Sequence, residues 1–176
     1  MPIQRPIPVW FGVGNPSRGD DALGPLFVER LGRALEPELA SGGVELLSDY
    51  QLQIEHALDI AGRARVVFVD ASVNAAPPFE YQRVTARCER SHSTHALSPA
   101  AVLDAHRSVA GEPPEAWLLA IRGERFELGD PLTARASAHL DAALSFFITE
   151  TRGPSPAGHG RRIELERALF IGQHFA

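Results

Sequence analysis

The stretch that determines the fold is WFGVGNPSRGDDALGPLFVERL, residues 10–31. It begins with an apolar run that breaks at Gly12 and Gly14, crosses a polar loop, and continues with apolar residues at helical spacing. This pattern predicts a strand, a tight loop and a helix. Two adjacent acids, Asp20 and Asp21, stand where the helix is expected to begin. The sequence therefore poses the question of what these two carboxylates bind.

The rest of the chain repeats the alternation of strands and helices. The run RVVFVDA is continuously apolar and rich in β-branched residues, which is typical of a strand covered on both faces. We predict a single α/β domain over residues 1–176, with three layers: a mainly parallel, twisted sheet with helices on both faces. The predicted strands are 7–13, 43–48, 65–71, 79–85 and 116–121, and the predicted helices are about 21–35, 52–61, 98–109 and 134–149.

Two features of this organisation stay open at this level. Only a short connection precedes the strand at 79–85, so this strand could be antiparallel and make the sheet mixed. The order of the strands is not readable from the sequence. Residues 149–162 are dense in glycine, proline and polar residues, and we predict a flexible loop within the domain there.

Composition excludes several classes of function. The net charge of -5 argues against nucleic acid, which requires a basic surface. All 17 basic residues are arginine, so a Schiff-base lysine and a lysine-type phosphate loop are both ruled out. The only cysteine, Cys88, cannot form an internal disulfide, and the sequence has neither a membrane-length apolar run nor a signal peptide. We therefore expect a cytoplasmic protein that binds neither nucleic acid nor membrane.

The glycines and acids of the opening stretch have competing interpretations. A dinucleotide-binding fingerprint would need a third glycine where Ser17 stands, and acids at a helix N-terminus repel phosphate. We predict that Asp20 caps the helix. Asp21 could be a first-turn acid that interacts with the helix dipole, or it could be functional.

Two further positions carry groups that bind metal ions. Asp70 ends the apolar strand, where open α/β sheets place their ligands, although it could equally cap the next loop. His92 and His95 precede a helix that should begin at Ser98-Pro99. A zinc site formed by Cys88 and the two histidines is a weak alternative, because the spacing matches no standard zinc module and a fourth ligand is missing.

Taken together, two carboxylates and one imidazole in loops that follow strands would form a set of two oxygen donors and one nitrogen donor. Such a set suits a borderline divalent metal ion and leaves coordination positions open. Parallel sheets collect such loops along one edge. Neither a G-x-S-x-G elbow nor an H-E-x-x-H helix occurs in the sequence, so it offers no serine-hydrolase or zinc-protease motif.

Four blocks, in order, resemble the hydrogenase maturation endopeptidases, the proteases that trim the large subunit of nickel–iron hydrogenases. These blocks are GVGNPSRGDDALGP, VVFVDA, STHALSP and LLAIRGERFELGDPLT followed by a helix, and they span residues from about 8 to 148. The resemblance implies that Asp21, Asp70 and His95 are both the metal ligands and the catalytic residues. It favours His95 over His92, and it leaves Asp20 in a capping role.

The resemblance also implies the reaction. The enzyme would remove a C-terminal extension from a large-subunit precursor, a transient partner that carries nickel itself, so the protease would need no organic cofactor and would act as a monomer. Two alternatives remain open: a chaperone of the large subunit that does not cleave, and a metal-dependent hydrolase of a small amide or ester that holds its own zinc. The loop at 149–162 has no counterpart in the family pattern.

Overall fold

The computed structural model describes residues 6–89 and 97–152, with only the backbone of residues 150–152. A 3-10 turn at Gly19–Ala22 precedes the first α-helix. The strands are β1 (Pro8–Val13), β2 (Glu45–Asp49), β3 (Arg65–Ser72), β4 (Phe79–Val84) and β5 (Glu115–Arg122). The helices are α1 (Leu23–Ala34), α2 (Glu36–Ala40), α3 (His56–Asp59), α4 (Pro99–Ala110) and α5 (Ala134–Arg152).

The five strands form one mixed sheet in the order β2-β1-β3-β5-β4. The first four strands of this order are parallel to one another, and the edge strand β4 is antiparallel to β5. The short connection before β4 produces this arrangement, because it is too short for the helical crossover that a parallel neighbour requires. The possibility of a mixed sheet, raised by the sequence, is confirmed.

Helices cover both faces of the sheet, which confirms the predicted fold class. Helices α1 and α5 pack together on one face, over Val67 and Val69 of β3. Helices α3 and α4 pack on the other face, over Val66 and Phe68. Because successive side chains of a strand point to opposite faces, β3 must be apolar at every position between its two layers.

Most predicted bounds differ from the structure by one or two residues, and three differences need comment. The helix expected at 52–61 is a single turn, α3, because Leu52 and Gln53 direct their backbone groups elsewhere: the Leu52 carbonyl accepts from the amide of Leu97, and the Gln53 amide donates to His56 Nδ1. The strand expected at 43–48 begins and ends later in the chain, at Glu45–Asp49, and is β2. Helix α5 continues through 149–152, so the predicted loop does not begin at 149, and its remainder lies outside the described residues.

No helix in the described part of the chain is both long and apolar enough to cross a membrane.

Candidate functional site

Two glycines, Gly14 in the loop after β1 and Gly24 in α1, allow close backbone packing at the end of the sheet. Gly14 has a φ of +140°, and a Cβ placed on it would lie 2.0 Å from the carbonyl oxygen of Asp21. A Cβ on Gly24 would lie 2.2 Å from the Val13 carbonyl oxygen and 2.5 Å from that of Val69. The glycines thus let the start of α1 rest directly on the ends of β1 and β3, which brings Asp21 to the C-terminal edge of the sheet.

Asp21 is partly buried in the 3-10 turn that precedes α1. Its Oδ2 accepts a hydrogen bond of 2.9 Å from the backbone amide of Asn15, which ties the carboxylate to the loop after β1. This hydrogen bond occupies one acceptor of a carboxylate that has about four.

Asp70 lies near the end of β3, also partly buried, and its Oδ1 accepts a 2.8 Å hydrogen bond from the Ala71 amide. The pKa of Asp70 is raised to about 6, mainly by burial and also by the negative charge of Asp21, against the lowering effect of that hydrogen bond. The two predicted ligands therefore lie close enough to interact through their charges. Two carboxylates in this relation favour a cation or a proton between them.

Asp20 does not cap the helix, so that prediction is wrong. Its side chain is fully buried and turns away from the 3-10 turn toward the loop at 123–133. There it accepts hydrogen bonds from the backbone amides of Glu124, Arg125 and Thr133 at 2.8–3.1 Å and from the Thr133 hydroxyl at 3.0 Å. Burial opposes the charge, but these four donors outweigh it, and the pKa of Asp20 is lowered.

His92 and His95 lie outside the described residues. The described chain resumes at Leu97, whose amide bonds to the loop after β2, and Ser98 then caps α4 by accepting from the Ala101 amide at 3.1 Å, as predicted. Cys88 is exposed. Within residues 6–89 and 97–152, no group of three His, Cys, Asp or Glu side chains is arranged to hold a metal ion.

Two parts of this edge were missed by the sequence analysis. One is the loop at 123–133, which Asp20 holds in place. Its sequence, GERFELGDPLT, is part of the family resemblance, but the resemblance assigns it no role. The other is the pair formed by Asp49 and His56, whose side chains approach to 3.4 Å beside the loop after β1. The signal that could have identified Asp49 is its position directly after the strand predicted at 43–48.

Comparisons with known proteins agree on the fold. No family model and no curated protein matches the chain. Among solved structures, it is similar to the NiFe hydrogenase maturation protease HycI from Thermococcus kodakarensis, with a TM-score of 0.63, 23% identity, and 81% of this chain and 90% of that one covered.

Two structures from Escherichia coli match with a TM-score of 0.61 each, covering 84% of this chain and 94% of theirs. One is the hydrogenase maturating endopeptidase HybD, at 24% identity. The other is described as an endopeptidase, at 26% identity. The chain therefore has the fold of the hydrogenase maturation proteases, which confirms at the level of the fold what the sequence resemblance implies.

Proposed function

We propose that this chain, which shares the fold of the hydrogenase maturation proteases, is an endopeptidase that removes the C-terminal extension of a nickel-loaded hydrogenase large-subunit precursor. The observation that carries the proposal is the pairing of Asp21 and Asp70 at the C-terminal edge of the sheet, where the negative charge of Asp21 disfavours ionisation of Asp70. A carboxylate pair of this kind gains most when a cation is brought to it.

In this proposal the cation is the nickel ion that the precursor already carries. Asp21 and Asp70 supply oxygen donors, and His95, the third predicted ligand, supplies nitrogen. A set of two oxygens and one nitrogen suits a borderline divalent ion and leaves coordination positions for the precursor's own ligands. No organic cofactor is needed, since hydrolysis of a peptide bond requires only water.

The ligand set would act as a checkpoint. A nickel-free precursor offers the two carboxylates no cation, so they remain solvated and docking gains little. A loaded precursor contributes coordination energy, and the protease discriminates between the two by their difference in affinity. In the chemical step the ion would polarise the scissile carbonyl or lower the pKa of a water molecule, with Asp21 or Asp70 as the proton acceptor.

The remaining properties follow from the same proposal. The precursor is a transient partner, the protease acts as a monomer, and both work in the cytoplasm, where the single cysteine stays reduced. Of the three structural neighbours named above, two are described as hydrogenase maturation enzymes that cleave protein and the third as an endopeptidase, which supports a proteolytic function over other uses of the fold.

The direct test is incubation with precursor loaded with nickel and with precursor free of nickel, followed by intact mass measurement. We expect the loaded precursor alone to lose mass at its C-terminus. His95→Ala should abolish this loss, and His92→Ala is the matched control that should leave it unchanged. If His92→Ala abolishes cleavage and His95→Ala does not, the assignment of the nitrogen ligand is wrong.

The same experiment separates the alternatives. A stable complex with the precursor and no cleavage would support the chaperone. Stoichiometric zinc in the purified protein, together with hydrolysis of small amides or esters, would support a metal-dependent hydrolase.

A further inference from the structure

Asp49 occupies the same position on β2 that Asp70 occupies on β3. Asp49 is in register with Val13 of β1, and Gly12 is in register with Val69, so Val13 lies between the two acids in one row across the sheet. In-register residues of parallel strands point to the same face. Each carboxylate also accepts from the next backbone amide, at 2.6 Å from Tyr50 and at 2.8 Å in β3.

Asp49 is nevertheless too distant to join the ligand set of Asp21 and Asp70. Two strand spacings separate Asp49 from Asp70, which is about 10 Å between their backbones. Ligands of one metal ion lie within about 2 Å of it. Asp49 therefore forms a second acidic position along the same edge.

A buried histidine supports this carboxylate without neutralising it. His56 is 6% exposed and packs edge-on against Phe11. The Gln53 amide donates to its Nδ1 at 2.9 Å, so the ring proton is on Nε2, and Nε2 lies 3.4 Å from Asp49 Oδ2. A neutral ring in this tautomer directs its N–H dipole toward the carboxylate and leaves the negative charge uncompensated.

The charge of Asp49 has no cationic partner in the described part of the chain. Eight carboxylates elsewhere in that part are paired with arginine, whereas the only ionic contact of Asp49 is His56. The side chain of Tyr50, the next residue in the chain, is 68% exposed. A cavity of about 360 Å³ at this place is lined by Gly14, Pro16, Pro25, Ser48, Asp49 and Tyr50.

We propose that Asp49 is the acidic end of a second subsite, which binds an arginine or lysine side chain of the substrate polypeptide. The carboxylate would take the cationic group, and Tyr50 with the prolines would contact its aliphatic stem. An extended peptide advances about 3.3 Å per residue, so the basic residue lies about three residues from the one held at Asp21 and Asp70. This inference rests on the proposed function.

The first experiment tests the subsite without the cleavage reaction. N-acetyl-arginine amide is titrated into the isotopically labelled protein, with N-acetyl-norleucine amide as the uncharged control, and backbone amide shifts are followed by NMR. We expect saturable shifts at Gly14, Asp49 and Tyr50 from the arginine compound alone. Asp49→Asn should lose them, and the matched surface variant Asp59→Asn should keep them. Shifts that persist in Asp49→Asn, or that the norleucine compound reproduces, would overturn the subsite.

The second experiment uses the nickel-loaded precursor. Asp49→Asn should raise KM about three- to tenfold and leave kcat unchanged, as expected when one charge-assisted contact of binding is lost. Replacing the basic precursor residue by norleucine or methionine should raise KM equally, and combining it with Asp49→Asn should add nothing. Additive effects would overturn the pairing. If the wild-type protein cleaves no precursor, the proposed function fails, while the NMR titration still decides the subsite.

Discussion

Asp20 and Asp21 are adjacent in the sequence but lie in opposite environments. Their comparison distinguishes a carboxylate that stabilises the fold from one that is available to bind a ligand. Asp20 belongs to what we term the anchor, the buried cluster in which it binds the loop at 123–133, and four donors satisfy its carboxylate. Asp21 belongs to the rim pair, which it forms with Asp70, and each of these two carboxylates accepts one backbone hydrogen bond.

The pKa values follow this difference. The hydrogen bonds of the anchor outweigh the effect of burial and lower the pKa of Asp20, whereas burial and the neighbouring charge raise the pKa of Asp70 to about 6. A carboxylate whose acceptors are filled can only hold the fold together. A carboxylate with free acceptors and an unfavourable charge is available to bind something else.

The largest loss of stability is expected at the anchor. Asp20→Asn removes a buried charge and leaves up to three of its four donors without an acceptor, so the free energy of unfolding should fall by about 3 to 5 kcal/mol. Urea denaturation followed by circular dichroism measures this change. A loss below about 1 kcal/mol would contradict the structural role of the anchor.

A smaller loss of stability is expected at Gly14, which positions Asp21 of the rim pair. Gly14→Ala places a methyl group 2.0 Å from the Asp21 carbonyl oxygen, which forces the backbone apart and should lower stability by about 2 to 4 kcal/mol. Gly42→Ala is the matched control, because Gly42 also has a positive φ but open space at Cβ, and it should cost about 1 kcal/mol. Equal losses for both variants would show that backbone strain alone matters at Gly14.

Removing the negative charge of Asp70 should stabilise the protein instead of destabilising it. Because ionised Asp70 is held in an unfavourable environment, Asp70→Asn should raise the free energy of unfolding at pH 7 by about 1 to 2 kcal/mol. The exposed Asp59→Asn should change it by less than about 0.5 kcal/mol. A destabilised Asp70→Asn protein would mean that Asp70 belongs to the structural class of Asp20.

The smallest expected effect is the pH dependence of the stability gained by Asp70→Asn. A raised pKa means that the folded protein binds the proton of Asp70 more tightly than the unfolded chain does. Its contribution to stability is therefore full below pH 4 and is lost as the pH rises through about 6. Unfolding measured at intervals from pH 4 to pH 7 should show the difference between Asp70→Asn and wild type growing over this window. A constant difference would contradict the assigned cause.

Much of the fold was predictable because its signals are local. The apolar strand at 65–71 and the Ser98-Pro99 helix start each depend on residues adjacent in sequence, and both are present. Position along the sheet edge left the roles of Asp21 and Asp70 open, and the resemblance to the hydrogenase maturation endopeptidases selected them. What they bind, and whether His95 completes the set, stays a prediction.

The two missed contacts differ in the sequence separation of their residues. Asp20 was assigned to a cap because it precedes a helix, whereas its partners lie more than 100 positions away in the loop at 123–133. His56 contacts Asp49 where the chain forms a turn and a single helical turn instead of the helix predicted at 52–61. The contact of Asp20 is set by which loops the sheet places side by side, whereas the contact of Asp49 with His56 is set by the conformation of the single short segment 49–56.

We propose that the rim pair performs the chemistry, whereas the anchor holds the loop at 123–133 in place. The most direct test is the rate of processing of nickel-loaded precursor by Asp70→Asn, normalised to folded protein and compared with wild type. We expect no C-terminal mass loss with Asp70→Asn, although this variant should be at least as stable as wild type. Processing at the wild-type rate would show that Asp70 has no part in the chemistry.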